Sequence, residues 1–436
     1  MKLHLENFAK ISSADIEFNG LTVIAGDNNT GKSTIGKALY SLFRGTSNID
    51  RRIVEERIKS VREAVTKVAR ADVSDEECRQ LMDGGLTVHD LLFEKFKKEF
   101  SGDAAKVMLG EVDQVARDFA HSFEDAVKAQ IEGVRAMPDD RVAWIILRRV
   151  FNCVFHGQYY PLKKDAPPAR LVLTVKGREN TMKFYQDHAE RSSEISLFAH
   201  ALLLSNPDVM GYVNVRGFET DERFMRILDK NVYELAKQLL KSESKSPGIL
   251  ETQRADFLSA ALAQLDEMIE GTFAPDSDGD LALSEEGNDI PTKVQNLSMG
   301  MKSLLLLRLL LTRGILSEKD VLILDEPENH LHPEWQVFYA KALVLIQKAY
   351  NLTMMVTTHS QFFVNALQRF SISEGISEKT NFYLSKKDEA RSGYCTFEPK
   401  GQFAGRIINS FNRALGRISK MSNEFPTNED ATCRAD

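Results

Sequence analysis

Gly26-Asp27-Asn28-Asn29-Thr30-Gly31-Lys32-Ser33 is a complete G-x-x-x-x-G-K-S loop, and its flanks decide how it folds. Leu21, Val23, Ile24 and Ala25 predict a short apolar strand before it. Ile35, Leu39 and Phe43 predict a helix after it. In a strand–loop–helix of this kind the loop N–H groups and the helix N-terminus form a nest for phosphate oxygens. The candidate contacts are Gly26, Asp27, Asn28, Asn29, Thr30, Gly31, Lys32, Ser33 and Thr34. Lys32 would reach the β- and γ-phosphates, and the Ser33 hydroxyl would face Mg²⁺.

Three further motifs follow, far along the chain. Val321-Leu322-Ile323-Leu324 predicts a buried parallel strand ending in Asp325-Glu326-Pro327. A carboxylate leaving the C-terminal end of such a strand sits where open α/β sheets bind ligands. Asp325 is the candidate Mg²⁺ holder and Glu326 the candidate base for an attacking water. Met354–Thr358 predicts another strand, closed by His359, which could sense the γ-phosphate. Asn296–Ser303 precedes the apolar helix Leu304–Leu311. Ser298 and the Gly300 amide suit a helix cap, and equally a phosphate at the helix's positive end.

Composition narrows the class. The chain has 436 residues, 43% of them hydrophobic, and a net charge of −7. That balance argues against a basic nucleic-acid coat along the whole chain, not against a local patch. Cys78, Cys153, Cys395 and Cys433 are scattered, which fits a reducing cytoplasm better than a disulfide framework or structural zinc. The alternating Met1–Phe8 stretch is no signal peptide, and the apolar Leu304–Leu311 run is too short to span a membrane.

Between the motifs the pattern changes. Val54, Ile58, Val61, Val65 and Val68 form one helical stripe, and Val112, Val115, Phe119, Phe123, Val127, Ile131 and Val134 another. The first holds a heptad register too briefly for a coiled coil. Leu171–Val175 and Thr181–Tyr185 predict a hairpin, Val209–Val215 a strand, and Glu222–Leu240 and Phe257–Ile269 helices. The expected organisation is an ATPase head over 1–44, a helical insertion over 45–140, a strand-containing part of the head over 141–217, a helical segment over 218–275, the rest of the head over 276–400, and a terminal helix with a polar tail over 401–436.

The four motifs together resemble the ATP-binding-cassette ATPase superfamily. Leu297–Lys302 is similar to its signature motif and His359 to its switch histidine. The opening Lys2–Phe8 and the helical insertion resemble the SMC, RecF and OLD group. Asp325–Gln336 is similar to OLD-like ATPases of bacterial anti-phage systems, and within them to the ATPase subunit of Septu and retron-associated systems. The resemblance implies an α/β fold: a cassette-type phosphate-loop head with a mixed or parallel sheet, flanking helices and a helical insertion. It implies ATP and Mg²⁺ as ligands and head-to-tail homodimers or higher homo-oligomers, with Ser298 meeting the γ-phosphate held by another subunit's Lys32. It also implies a separately encoded HNH-type nuclease as partner, DNA contacts made through that complex, no membrane, and a cytoplasmic location.

Departures from the pattern qualify this. His332 replaces the aspartate usual in transporter cassettes, which leaves room for slow hydrolysis. Ala9 and then Lys10 follow Asn7-Phe8, where an arginine is common; Lys10 is a candidate nucleotide contact. Gln158 is the candidate for the glutamine that bridges Mg²⁺ and lid, against a plain surface loop. Residues 371–436 lack a toprim Asp-x-Asp pair, and no nuclease constellation stands elsewhere in the sequence. Asp276–Asp280 fails as a calcium loop because Leu281 stands where glycine is needed. The competing reading is a RecF- or SMC-like DNA-repair ATPase that binds DNA itself. A transporter cassette is disfavoured by the insertion and the N-terminal motif.

Overall fold

In a computed structural model, the described residues are 1–69, 73–88, 90–91, 127–161, 163, 166–185, 189–193, 197, 199–212, 235–236, 239, 249–277, 280–402, 404–405 and 407. The chain forms two compact units, residues 1–44 with 151–436, and residues 45–150.

The first unit is built on an eleven-stranded mixed sheet. Strands β1 (Lys2–Phe8) and β2 (Ile11–Glu17) form a hairpin, with Leu3 opposite Ile16 and Leu5 opposite Ala14. Their alternation buries Leu3, Leu5, Ile11, Ala14 and Ile16, the period-2 pattern of a strand with one covered face. β4 (Ala169–Val175) pairs with β1. β5 (Arg178–Phe184) turns back on β4 through Lys176 and Gly177, both with positive φ, and β6 (Ala189–Ser193) completes this wing.

The other wing is parallel. β7 (Ala201–Leu204), β11 (Val321–Asp325), β12 (Thr353–Thr358), β3 (Leu21–Gly26) and β13 (Thr380–Lys387) lie side by side in that order. The near-continuous apolar runs of β7, β11, β12 and β3 fit burial on both faces. β14 (Cys395–Gly401) pairs antiparallel with β13 and parallel with β2, joining the wings. The phosphate-loop strand β3 and the acid-pair strand β11 are thus separated only by β12, the strand that carries His359. A small sheet of β8 (Thr272–Pro275), β9 (Leu281–Ser284) and β10 (Thr292–Lys293) stands apart.

Helix α1 (Lys32–Thr46) starts inside the phosphate loop. In the second unit, α2 (Ile49–Ala69) and α3 (Asp75–Asp83) pack through Ile58, Val61, Val65, Cys78 and Leu81, with Val127 and Ile131 in the same cluster. Ser74 and Glu77 form a reciprocal cap that starts α3. α4 (Asp139–Phe155) runs from the second unit back to the first. There Phe151 and Phe155, with Tyr159, surround Phe8 and Phe184 in an aromatic cluster.

α5 (Ile249–Asp266), α6 (Met299–Thr312), α7 (Pro333–Tyr350) and α8 (Gln361–Ser373) complete the first unit. α6 buries every leucine it carries, so it is a core helix rather than an amphipathic one.

The fold is α/β, as the motifs imply. Three details differ from the expectations. Of the strand expected over Val209–Val215, residues 209–212 lie in a 3₁₀ turn, Pro207–Tyr212, which Pro207 opens, and 213–215 lie outside the described residues. Thr272–Pro275, at the end of the segment read as helical, is a strand. β13 and β14 were not foreseen, because Lys386, Lys387 and Glu398 interrupt their apolar pattern. The expected elements over 112–123 and 222–234 and the polar tail lie outside the described residues.

Candidate functional site

The phosphate loop has the shape an anion nest needs. Gly26 has φ +151° and Gly31 φ +79°. A Cβ on Gly26 would lie 2.2 Å from Ser385 Oγ, so only glycine fits. Ser385 on β13 donates its hydroxyl to Thr30 Oγ1 (2.6 Å) and lies 3.2 Å from the Ala25 carbonyl. Thr30 in turn donates to the Asp27 carbonyl (2.7 Å). Asp27, Asn28 and Asn29 are exposed at the crest, while Ser33 and Thr34 stand half-buried at the start of α1.

Lys32 is 3% exposed. Its ammonium donates to the carbonyls of Gly26 (3.0 Å) and Asp27 (2.9 Å) and lies 3.5 Å from Glu326 Oε1. The charge is therefore held under the loop and faces the acid pair. Lys10, on the β1–β2 turn, donates to Asn29 Oδ1 (2.5 Å). That places the candidate lysine against the loop crest.

β12 links the other parts. Thr357 donates its hydroxyl to Asp325 Oδ1 (2.5 Å), and its Oγ1 (3.0 Å) and carbonyl (3.1 Å) both accept from the Glu326 N–H. Glu326 takes a left-handed backbone, φ +49°, uncommon for a residue with a Cβ. This turn aims its carboxylate back toward the sheet. Glu326 Oε2 accepts from Asn329 (3.0 Å) and lies 3.6 Å from His359 Nδ1. Burial raises the Glu326 pKa, but the Asn329 hydrogen bond and the charges of Lys32 and His359 outweigh it, and the net shift is downward from 4.5. The carboxylate is thus ionised, as a base or water-orienting group must be.

Ser298 caps α6, its Oγ accepting from Met301 N–H (3.2 Å). Gly300 packs against the acid-pair loop: a Cβ there would sit 2.6 Å from the His330 carbonyl oxygen. Among the described residues no hydrogen bond or ion pair joins Ser298 or Gly300 to Lys32. Asp325, Glu326, His359 and the phosphate loop converge, whereas the signature adjoins the acid-pair loop. A cavity of about 130 Å³ lies between them, lined by Asn206, Met299, Ser303, Asp325, Glu326 and His330 among others. His332 caps α7, its Nδ1 accepting from Glu334 N–H (3.4 Å). Gln158 is exposed in a turn. Among the described residues no group of three His, Cys, Asp or Glu side chains could hold a metal by itself.

Two further side chains, which the motifs do not single out, tie this region together. Glu328, beside the acid pair, is 2% exposed. Gln336 accepts from Ser360 Oγ (2.6 Å) and donates to the Leu331 carbonyl (3.1 Å), tying the β12 exit to the acid-pair loop.

Two family models match the chain. Residues 1–82 match one described as "AAA ATPase domain", and residues 180–365 match "AAA domain, putative AbiEii toxin, Type IV TA system". The first contains the phosphate loop; the second contains the signature, the acid pair and His359. Both matched models describe ATPase domains, and between them they take in the phosphate loop, the acid pair and His359. One curated relative, the mRNA export factor elf1 of Schizosaccharomyces pombe (strain 972 / ATCC 24843), is 27% identical over 206 residues. The match covers 43% of this chain and spans only 18% of that relative's length. Among solved structures, the SMC head domain from Thermotoga maritima is similar at 13% identity and TM-score 0.36, covering 91% of this chain and 97% of that one. The Smc head domain with an extended coiled coil bound to the C-terminal domain of ScpA, derived from Pyrococcus furiosus, is similar at 11% identity and TM-score 0.38, covering 96% of this chain and 98% of that one. The fold assignment rests on this chain's own sheet order and site. No helix among the described residues is long and apolar enough to cross a membrane.

Proposed function

We propose that this ATPase is the regulatory subunit of a bacterial defence complex, related to Septu and retron-associated ATPases, that closes around ATP and controls a separate nuclease. The observation that carries the nucleotide chemistry is the meeting of Lys32 and His359 at one carboxylate, Glu326 (3.5 and 3.6 Å). The match of residues 180–365 to a family described as a putative AbiEii toxin supports the defence setting.

The loop fits a polyphosphate, since its glycines leave the backbone open and it runs straight into the N-terminus of α1. Lys32 supplies a fixed positive charge for the β- and γ-phosphates. Ser33 and Asp325 would hold Mg²⁺, which when bound neutralises phosphate charge and orients the terminal group. Glu326, ionised and steered by Asn329, accepts the proton of the attacking water. His359, 40% exposed at the strand end, would donate to the γ-phosphate.

Ser298 would meet the γ-phosphate of a second subunit, so the complete site is shared across a head-to-tail homodimer or higher homo-oligomer. Nucleotide state then controls assembly. The effector is a separately encoded HNH-type nuclease, and DNA is reached through the complex.

Mixing Lys32→Ala with Ser298→Arg subunits tests the shared site. A mixed dimer holds one composite site with neither defect, so turnover should partly return. No return in demonstrated mixed dimers would refute the sandwich. Pull-down from the native host tests the partner: a nuclease should co-purify. If none does and the chain alone binds DNA tightly, the DNA-repair reading replaces this one.

A further inference from the structure

Glu328 stands out among the buried groups that the ATPase chemistry above leaves unused. It is a carboxylate, 2% exposed, two residues past the candidate base. Its Oε1 accepts from the Thr358 hydroxyl and from the His359 N–H (3.2 Å). The same oxygen lies 3.9 Å from His359 Nδ1. Its Oε2 is buried with no hydrogen-bond partner.

A buried carboxylate oxygen without a hydrogen-bond partner is costly. Burial accordingly pushes the Glu328 pKa up, although the bonds from Thr358 and His359 pull the other way. A side chain that costs this much and gives both bonds to consecutive residues at one strand end is a brace. The Ser360 N–H donates to Thr358 Oγ1 (3.0 Å), extending the brace by one residue, and Gln336 holds Ser360 from the other side. The switch histidine is therefore hung from the acid-pair loop at two points.

We infer that Glu328 is a positioning residue for ATP hydrolysis: it fixes the backbone of Thr358 and His359 so that the histidine meets the terminal phosphate in register with Glu326. This rests on the reading that hydrolysis occurs at Lys32 and Glu326 with His359 on the γ-phosphate. It predicts that Glu328 acts on turnover through His359 and hardly at all on nucleotide binding. A misplaced group about 1 Å from its working geometry costs up to about a hundredfold in rate.

The test uses the full-length chain and a double-mutant cycle. Glu328→Ala should lower kcat about ten- to a hundredfold, with the Kd of a fluorescent ATP analogue changed by less than about threefold. Glu328→Gln keeps an acceptor for Thr358 and His359 and should recover most of the rate. Glu328→Ala combined with His359→Ala should lose little more than His359→Ala alone, because both changes act on one unit. Thr358→Val removes the hydroxyl bond from the opposite side without leaving an alanine gap; it should show the same split if the alanine variant fails to fold. Wild-type kcat in Glu328→Ala, multiplicative losses in the double variant, or a loss of binding that matches the loss of rate would each overturn the inference. Lys32→Ala, run alongside, separates the two levels. If it binds nucleotide normally, the site reading itself fails; if it loses binding while Glu328→Ala turns over normally, only this inference fails.

Discussion

Gly300→Ala tests whether the signature and the acid-pair loop are mechanically joined. The added Cβ would lie 2.6 Å from the His330 carbonyl oxygen and 3.3 Å from Leu331 Cδ2. An ordinary carbon–oxygen contact is about 3.3 Å or more, so one backbone must move by roughly 0.7 Å. The His330 carbonyl cannot rotate away freely: His330 has φ +67°, Leu331 N–H donates to the Glu328 carbonyl (3.1 Å), and Gln336 holds the Leu331 carbonyl. Overpacking of this kind costs about 1–3 kcal/mol. Replacing a helical glycine with alanine returns about 0.5–1 kcal/mol, so the net loss is on the order of 1 kcal/mol, about one to two degrees in melting temperature for a unit of this size. The larger effect falls on turnover, because the displaced loop carries Asn329, which orients Glu326. A fall of about tenfold or more is expected. Gly133, which lies in a helix with open space around its would-be Cβ, is the control; Gly133→Ala should be neutral or slightly stabilising. Calorimetry and steady-state hydrolysis on both variants decide it. A Gly300→Ala protein as stable and as active as Gly133→Ala would refute the coupling.

Two predictions concern pH. The Glu326 pKa is lowered, so its carboxylate stays ionised below 4.5. Its contribution to stability is present above the unfolded value and is lost as pH falls through the lower folded one. Hydrolysis should therefore show no acid limb from Glu326 until below about pH 4.5; a base titrating above pH 6 in kcat would contradict the assignment. Glu328 has the opposite sign: its pKa is raised by burial, so its favourable contribution is complete below the unfolded value and lost as pH rises through the folded one. Glu328→Gln should consequently melt no lower than wild type at pH 8, with any advantage shrinking toward pH 4. A large loss of melting temperature at pH 8 alone would contradict this.

The motifs were legible because their chemistry requires particular residues. Gly26, Gly31 and Lys32 sit in a turn that other residues cannot make, and Val321–Leu324 could only be a buried strand before Asp325-Glu326. Sequence spacing likewise put His359 at a strand end, and β12 delivers it to Glu326. Less was legible where tertiary contacts chose the residue. Glu328 reads as one more acid in a polar loop, and only burial beneath Thr358 and His359 gives it a role. Ser385 looks like an ordinary strand serine, yet it backs the phosphate loop across the sheet. Val209, expected to open a strand, lies instead in a 3₁₀ turn that Pro207 starts and that Asp208 ties to Lys302 (2.8 Å).

In the proposed mechanism Glu326 activates water for ATP held over Lys32. The most direct measurement is single-turnover hydrolysis of γ-labelled ATP by wild type and Glu326→Gln, with nucleotide affinity measured on the same samples. The glutamine cannot accept the proton, so affinity should stay within about threefold while turnover falls about a hundredfold or more. Equal turnover in the two proteins, at equal affinity, would contradict the account.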